Sequence, residues 1–186
     1  LRREFSGLTA SFDHAKNHFQ LFGIEQTFHV DTAQLEDLFR ALQAQVHPDR
    51  SAHLTDAEQR IAMQRSTLVN EAYQTLKSPI RRARYLLLLQ GVDTQEETNT
   101  AMPFDFLMAQ MEWREAVSDA ARARDVEALE QLEATMKVNT RELETQLAVK
   151  IDDEHDYEFA AGLVRKLRFM EKLAEEINSA YDELDS

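Results

Sequence analysis

The sequence predicts an all-α protein built from two helical modules, and three observations carry that reading. Only four Gly and three Pro occur in 186 residues, against usual shares of roughly 7% and 5%. Residues that break helices are scarce, so long helices are expected. Beyond residue 16, apolar side chains recur three and four positions apart over most of the chain, the period of one helix face. Charge is also unevenly divided: residues 1–90 hold 11 Lys+Arg against 10 Asp+Glu, and residues 91–186 hold 10 against 24. The halves carry +1 and −14, as expected of two modules with different partners. An acidic half of this kind repels phosphate backbones, which argues against nucleic acid as its ligand.

Residues 1–16 keep no sustained period and are read as a mobile leader. A short helical turn follows from Asn17 and closes at Leu21-Phe22-Gly23. Asp31 with Gln34 reads as a capping box, and Leu35, Leu38, Phe39, Leu42 and Val46 then recur at helical spacing, predicting a helix over 32–46. Pro48 ends it, because the residue before a proline is pushed out of the α region. Residues 47–55 form a polar loop. Asp56 is the expected cap of the next helix, whose Ile61, Leu68, Val69, Ala72, Tyr73 and Leu76 make one stripe ending at Ser78-Pro79.

Residues 80–90 add a short helix, Arg81-Arg82-Ala83-Arg84-Tyr85 and a leucine run, placed between the modules by its apolar density and stopped by Gly91. Residues 92–102, polar and rich in Thr and Glu, are the expected linker. After Pro103 three helical patterns follow, at 104–123, 125–149 and 154–184, and three long antiparallel helices make a bundle. Their stripes include Phe106, Trp113 and Val117; Val126, Leu129, Met136, Leu143 and Leu147; and Phe159, Leu163, Leu167, Met170, Leu173, Ile177 and Tyr181. The modules therefore span 17–91 and 103–186.

Several chemistries drop out. Cysteine is absent, which removes disulfides, thiolate nucleophiles and Cys-ligated clusters. The longest apolar run, Tyr85 to Leu89, is far shorter than the roughly 20 residues that span a bilayer, and a cytoplasmic location is expected. No Gly-rich phosphate loop and no supported Ser-His-Asp set occurs. Neither an enzymatic activity nor a cofactor is expected. His14 and His18 have helical metal spacing but no evident third ligand. The run Asp152-Asp153-Glu154-His155-Asp156 is read as carboxylates in the first turn of a helix, where the macrodipole favours them. Arg81, Arg82 and Arg84 are too few to track phosphates and are read as framing the module junction.

Two sites remain. In His47-Pro48-Asp49 the proline fixes φ, the loop is preorganised, and Asp49 offers a carboxylate to a cation on a partner. Arg40 and Arg50 supply nearby positive charge, although Glu36 and Asp37 share the face of Arg40. The bare tripeptide is equally an ordinary interhelical turn that uses Pro to stop a helix. The helix from Phe104 has two apolar faces at about 100° per residue. Phe106, Ala109, Trp113, Ala116, Val117 and Ala120 form the core side; Leu107, Met108 and Met111 point elsewhere, beside Glu112, Glu115 and Asp119. Methionines rimmed by carboxylates read as a partner surface, or else as a stripe packed on the N-terminal module or on another helix.

The short helix, the amphipathic helix, the His47-Pro48-Asp49 loop and the second helix carrying Leu68-Val69-Asn70-Glu71-Ala72-Tyr73-Gln74-Thr75-Leu76 together resemble a J-domain. With Arg82-Ala83-Arg84-Tyr85-Leu86-Leu87, Phe106 to Glu112, Arg114-Glu115 and Val164 to Phe169, nearly the whole chain beyond the leader resembles the bacterial Hsc20 (HscB) co-chaperones of iron-sulfur cluster assembly. The resemblance implies a J-domain helical hairpin joined to an antiparallel three-helix bundle. It implies stimulation of the DnaK-type ATPase HscA through His47, Pro48 and Asp49, with Arg40 and Arg50. It also implies delivery of the scaffold IscU, held by Leu107, Met108, Met111, Glu112, Glu115, Asp119 and Phe169. The cysteine-bearing zinc module of eukaryotic members has no counterpart here, implying a bacterial form. A J-protein for another client and a non-catalytic helical structural adaptor are the rival readings.

Overall fold

A computed structural model describes residues 17–46, 55–96 and 102–184. All regular structure among the described residues is helical: α1 His18–Phe22, α2 Thr32–Val46, α3 Asp56–Lys77, α4 Pro79–Leu89, α5 Phe104–Ala123, α6 Val126–Ala148 and α7 Tyr157–Leu184, with a π-helical turn at Val149–Asp153. No described helix is long and apolar enough to cross a membrane. The packing divides into two compact units, Leu1–Leu86 and Leu87–Ser186. The leader expected at 1–16 lies outside the described residues.

In the first unit, α2 and α3 form an antiparallel pair. Phe39 stacks on Tyr73 at 3.9 Å, and one turn further along α2 the Gln43 amide donates to Asn70 Oδ1 at 3.1 Å. The core draws on Leu35, Leu42 and Val46 of α2, and on Val69, Ala72, Tyr73 and Leu76 of α3. α1 is too short to persist alone and is fixed at both ends. The Asn17 side chain accepts from the Gln20 N–H at 2.9 Å, Gly23 ends the helix with φ +65°, and the Tyr85 hydroxyl of α4 accepts from the His18 N–H at 3.1 Å.

Two expectations for α3 change. Its N-cap is Thr55 rather than Asp56: the Glu58 N–H donates to the Thr55 hydroxyl while Glu58 accepts from the Thr55 N–H, a reciprocal capping box. That arrangement satisfies two orphan donors at once, which Asp56 could not do alone. We expect Thr55→Ala to cost about 1 kcal/mol and to lower the melting midpoint of this unit by about 4–8 °C, read by thermal denaturation. The predicted stripe is also shorter than expected, because Ile61 and Leu68 are 48% and 38% exposed. Burial is confined to the C-terminal half of α3, where α2 packs; Ile61 lies more than two turns before Val69.

Arg82, expected at a junction, is buried. Its Nη1 donates to the Leu76 carbonyl at 2.8 Å, and its guanidinium lies 5.0 Å over the Phe28 ring. The side chain thus satisfies a last-turn carbonyl that α3 itself leaves open.

In the second unit, α5, α6 and α7 pack pairwise into the three-helix bundle. Its core includes Val117 and Ala120 of α5, Leu129, Met136, Leu143 and Leu147 of α6, and Leu163, Leu167, Met170, Leu173 and Ile177 of α7. Arg124 takes the left-handed conformation after α5, and its guanidinium donates to the Leu184 carbonyl at 2.6 Å. Within the stretch read as linker, Thr94 is buried and its carbonyl accepts from Arg165 of α7 at 3.1 Å.

The link from α6 to α7 differs from expectation. The chain winds through the π turn, closed by the Glu154 N–H donating to the Val149 carbonyl at 2.9 Å. His155 has φ +55°, and α7 begins only at Tyr157. Asp152, Asp153 and Glu154 therefore precede the helix instead of forming its first turn. Asp156 does the capping, accepting from the Phe159 N–H at 3.2 Å, and Glu158 is the acid in the first turn. A carboxylate run near a helix start does not itself say which member caps, since that depends on where the preceding turn lets go.

Candidate partner-binding surfaces

The loop with His47, Pro48, Asp49 and Arg50 lies outside the described residues. Its two flanks are described. α2 ends at Val46 and α3 is capped at Thr55, so the antiparallel pair brings both loop ends to one edge of the first unit. The signature Leu68 to Leu76 is intelligible as a clamp. Val69, Ala72, Tyr73 and Leu76 are buried, and Asn70 ties across to Gln43.

Arg40 is exposed on α2, and its guanidinium is engaged by Glu36 in the same helix, with Asp37 at 3.8 Å. The hydrogen bond that Arg40 donates to Glu36 raises the Arg40 pKa first of all. Such exposed pairs contribute little and are screened by salt, so Glu36 holds Arg40 only weakly.

His18 stacks on Tyr85 with ring centroids 4.3 Å apart. Burial pushes its pKa below the ordinary 6.5, and the Glu71 carboxylate opposes that shift without cancelling it. The folded state therefore prefers neutral His18. Its contribution is complete above the unfolded pKa and is lost as pH falls through the folded one. We expect the thermal midpoint of this unit to drop from pH 7.5 to pH 5.5, and His18→Phe, which keeps the ring stack, to lessen the drop.

The second surface is on α5. Its core side is where the sequence places it: Val117 and Ala120 are buried, and Phe106 and Trp113 are half-buried. Phe106, Trp113 and Phe169 form an aromatic cluster, with Phe106 edge-on to Trp113 at 6.1 Å and to Phe169 at 5.8 Å. Arg114 lies 5.2 Å over the Phe169 ring and pairs with Glu176 of α7 at 3.3 Å. These contacts fix the rotation of α5 against α7.

The opposite side is open. Leu107, Met108 and Met111 are 39%, 43% and 67% exposed, so the alternative of a stripe packed on another helix is not what this structure has. Glu112, Glu115 and Asp119 are exposed beside them, and Asp119 pairs with Arg122 at 2.9 Å. Phe169 is set apart from this stripe. It is buried against the core-facing Phe106 and Trp113 and supports α5 from beneath. One residue escaped the sequence reading: Phe104, treated only as the helix start, is 77% exposed. With Leu107, Met108 and Met111 it completes an i, i+3, i+4, i+7 line, the signal that identifies it.

Comparisons with known proteins match both units. Residues 17–85 match the family model described as DnaJ domain, and residues 102–178 match the HSCB C-terminal oligomerisation domain. A co-chaperone protein HscB homolog of Chromobacterium violaceum is 56% identical over 92% of this chain and 97% of its own length. The homolog from Azoarcus sp. (strain BH72) is 47% identical over 95% of this chain and 99% of its own. Among solved structures, chaperone HscB from Vibrio cholerae superposes with a TM-score of 0.80 at 37% identity, covering 90% of this chain and 99% of that one. Human co-chaperone HscB gives 0.84 at 31% identity, covering 90% and 83%.

Proposed function

The chain belongs to the HscB family of J-domain co-chaperones, which serve iron-sulfur cluster assembly through a DnaK-type chaperone, and from that premise we propose the following division of labour. The loop at His47, Pro48 and Asp49, with Arg50 and the weakly held Arg40, docks on the chaperone HscA and stimulates its ATPase. The open face of α5, made of Leu107, Met108, Met111, Glu112, Glu115 and Asp119, holds the scaffold IscU, and Phe169 positions that face. The protein catalyses nothing itself. It works in the cytoplasm by presenting one partner to the other.

The observation that carries this reading is the unfilled apolar face on an otherwise well-packed bundle. Met and Leu exposed in one contiguous line with a charged rim mark an interaction surface, and Met side chains adapt to a partner's contours. Burying them contributes about 1.5–3 kcal/mol each, comparable with an association cost of about 4–15 kcal/mol, so a transient contact is expected, as delivery requires. Single-turnover ATPase assays of HscA test the reading. The chain is expected to accelerate hydrolysis, and IscU with the chain is expected to accelerate it beyond the product of their separate effects. Equal rates with wild type and His47→Gln would defeat it; stimulation without any IscU synergy would transfer the α5 face to another client.

A further inference from the structure

Phe104 is the most exposed of the large hydrophobic residues described, at 77%. It has no aromatic partner among the described residues, whereas Phe106, two positions on, sits against Trp113 and Phe169. Nor does the helix start require it. Pro103 is the N-cap, makes no side-chain capping bond, and fixes the entry of the chain. A first-turn position so placed tolerates almost any polar residue, yet it carries a ring continuing the line of Leu107, Met108 and Met111.

We infer that Phe104 is the aromatic anchor of this stripe, seated on binding in an apolar recess with a basic rim on the docked protein. The inference rests on the reading of the α5 face given above and adds to it the residue that sets affinity and the complement it needs. An aromatic ring on a fixed backbone has few rotors to immobilise and a large area to bury. The rim supplies the sign. Asp105, Glu112 and Asp119 lie along one flank of the stripe and Glu115 in its line on the same helix, in a half of the chain that carries −14 overall. A second copy offering the same face would bring carboxylate against carboxylate, so self-pairing there is disfavoured and a Lys- or Arg-rimmed recess is matched.

Calorimetric titration of the full chain with IscU tests this, using wild type, Phe104→Ala, Phe104→Leu and Met111→Ala, with helicity checked by circular dichroism. Phe104→Ala is expected to raise Kd about tenfold or more, at least as much as Met111→Ala does, with Phe104→Leu in between. Glu112→Gln/Glu115→Gln is expected to weaken binding and flatten its salt dependence. An unchanged Kd for Phe104→Ala beside a raised Kd for Met111→Ala would overturn the inference and leave the α5 reading in place. Unchanged values for both would remove that reading as well. A Phe104-dependent dimer of the chain alone in sedimentation would overturn the assignment to a basic partner.

Discussion

Asp49→Asn is expected to reduce the stimulation of HscA by one to two orders of magnitude at limiting co-chaperone, while leaving the helical content of the chain unchanged. The substitution is nearly isosteric and removes one negative charge. A charge-assisted hydrogen bond contributes about 1.5–3 kcal/mol, and each 1.4 kcal/mol is about a factor of ten. The loss should fall on coupling as well as on docking. Arg40 and Arg50 still supply steering charge, so raising the co-chaperone concentration should recover only part of the rate. Full recovery would reduce Asp49 to a docking residue, and an unchanged rate would remove the loop from the mechanism.

Leu107→Ala/Met111→Ala is the second large effect expected. Full burial of either side chain contributes about 1.5–3 kcal/mol. Leu107 is already more than half covered and Met111 only a third, so their joint loss on binding is about 1.6–3.2 kcal/mol, or ~15- to 200-fold in Kd. The two lie one turn apart on one face, and some departure from additivity is expected. The IscU concentration giving half-maximal synergy in the ATPase assay should rise by a comparable factor. Because Met111 is exposed and Leu107 is outside the buried core, the thermal midpoint should fall only slightly. A large fall in the midpoint would mean that the stripe holds the bundle together, and the reading of a partner surface would fail.

The helix order and the two-sided character of α5 were legible in the sequence because both rest on period alone. Amphipathic spacing and the Asn17, Gly23, Pro48 and Pro79 punctuation leave little choice of element type. Departures arose where one residue's role depends on a neighbour in space or on a shift in helical winding. Thr55 outcompetes Asp56 as a cap because Glu58 answers it. The π turn shifts the winding, which moves the acidic run out of α7. Arg82 reads from sequence as framing the module junction, because nothing in its local spacing reveals the Leu76 carbonyl it reaches. On α5, type and spacing place Leu107, Met108 and Met111 off the core side, and they are exposed there. Burial then distinguished Phe169, which supports the face, from Phe104, which belongs to it.

The long final helix bears on how the chain is born. α7 contributes buried residues from Ala160 to Ala180 along nearly its whole length, so the bundle has no closed interior until that helix has been translated. The first unit has its hydrophobic complement by Leu86, and domains generally fold as units in the order they leave the ribosome. The half that recruits a chaperone is thus finished first, while the apolar sides of α5 and α6 wait uncovered until α7 follows them out of the ribosome.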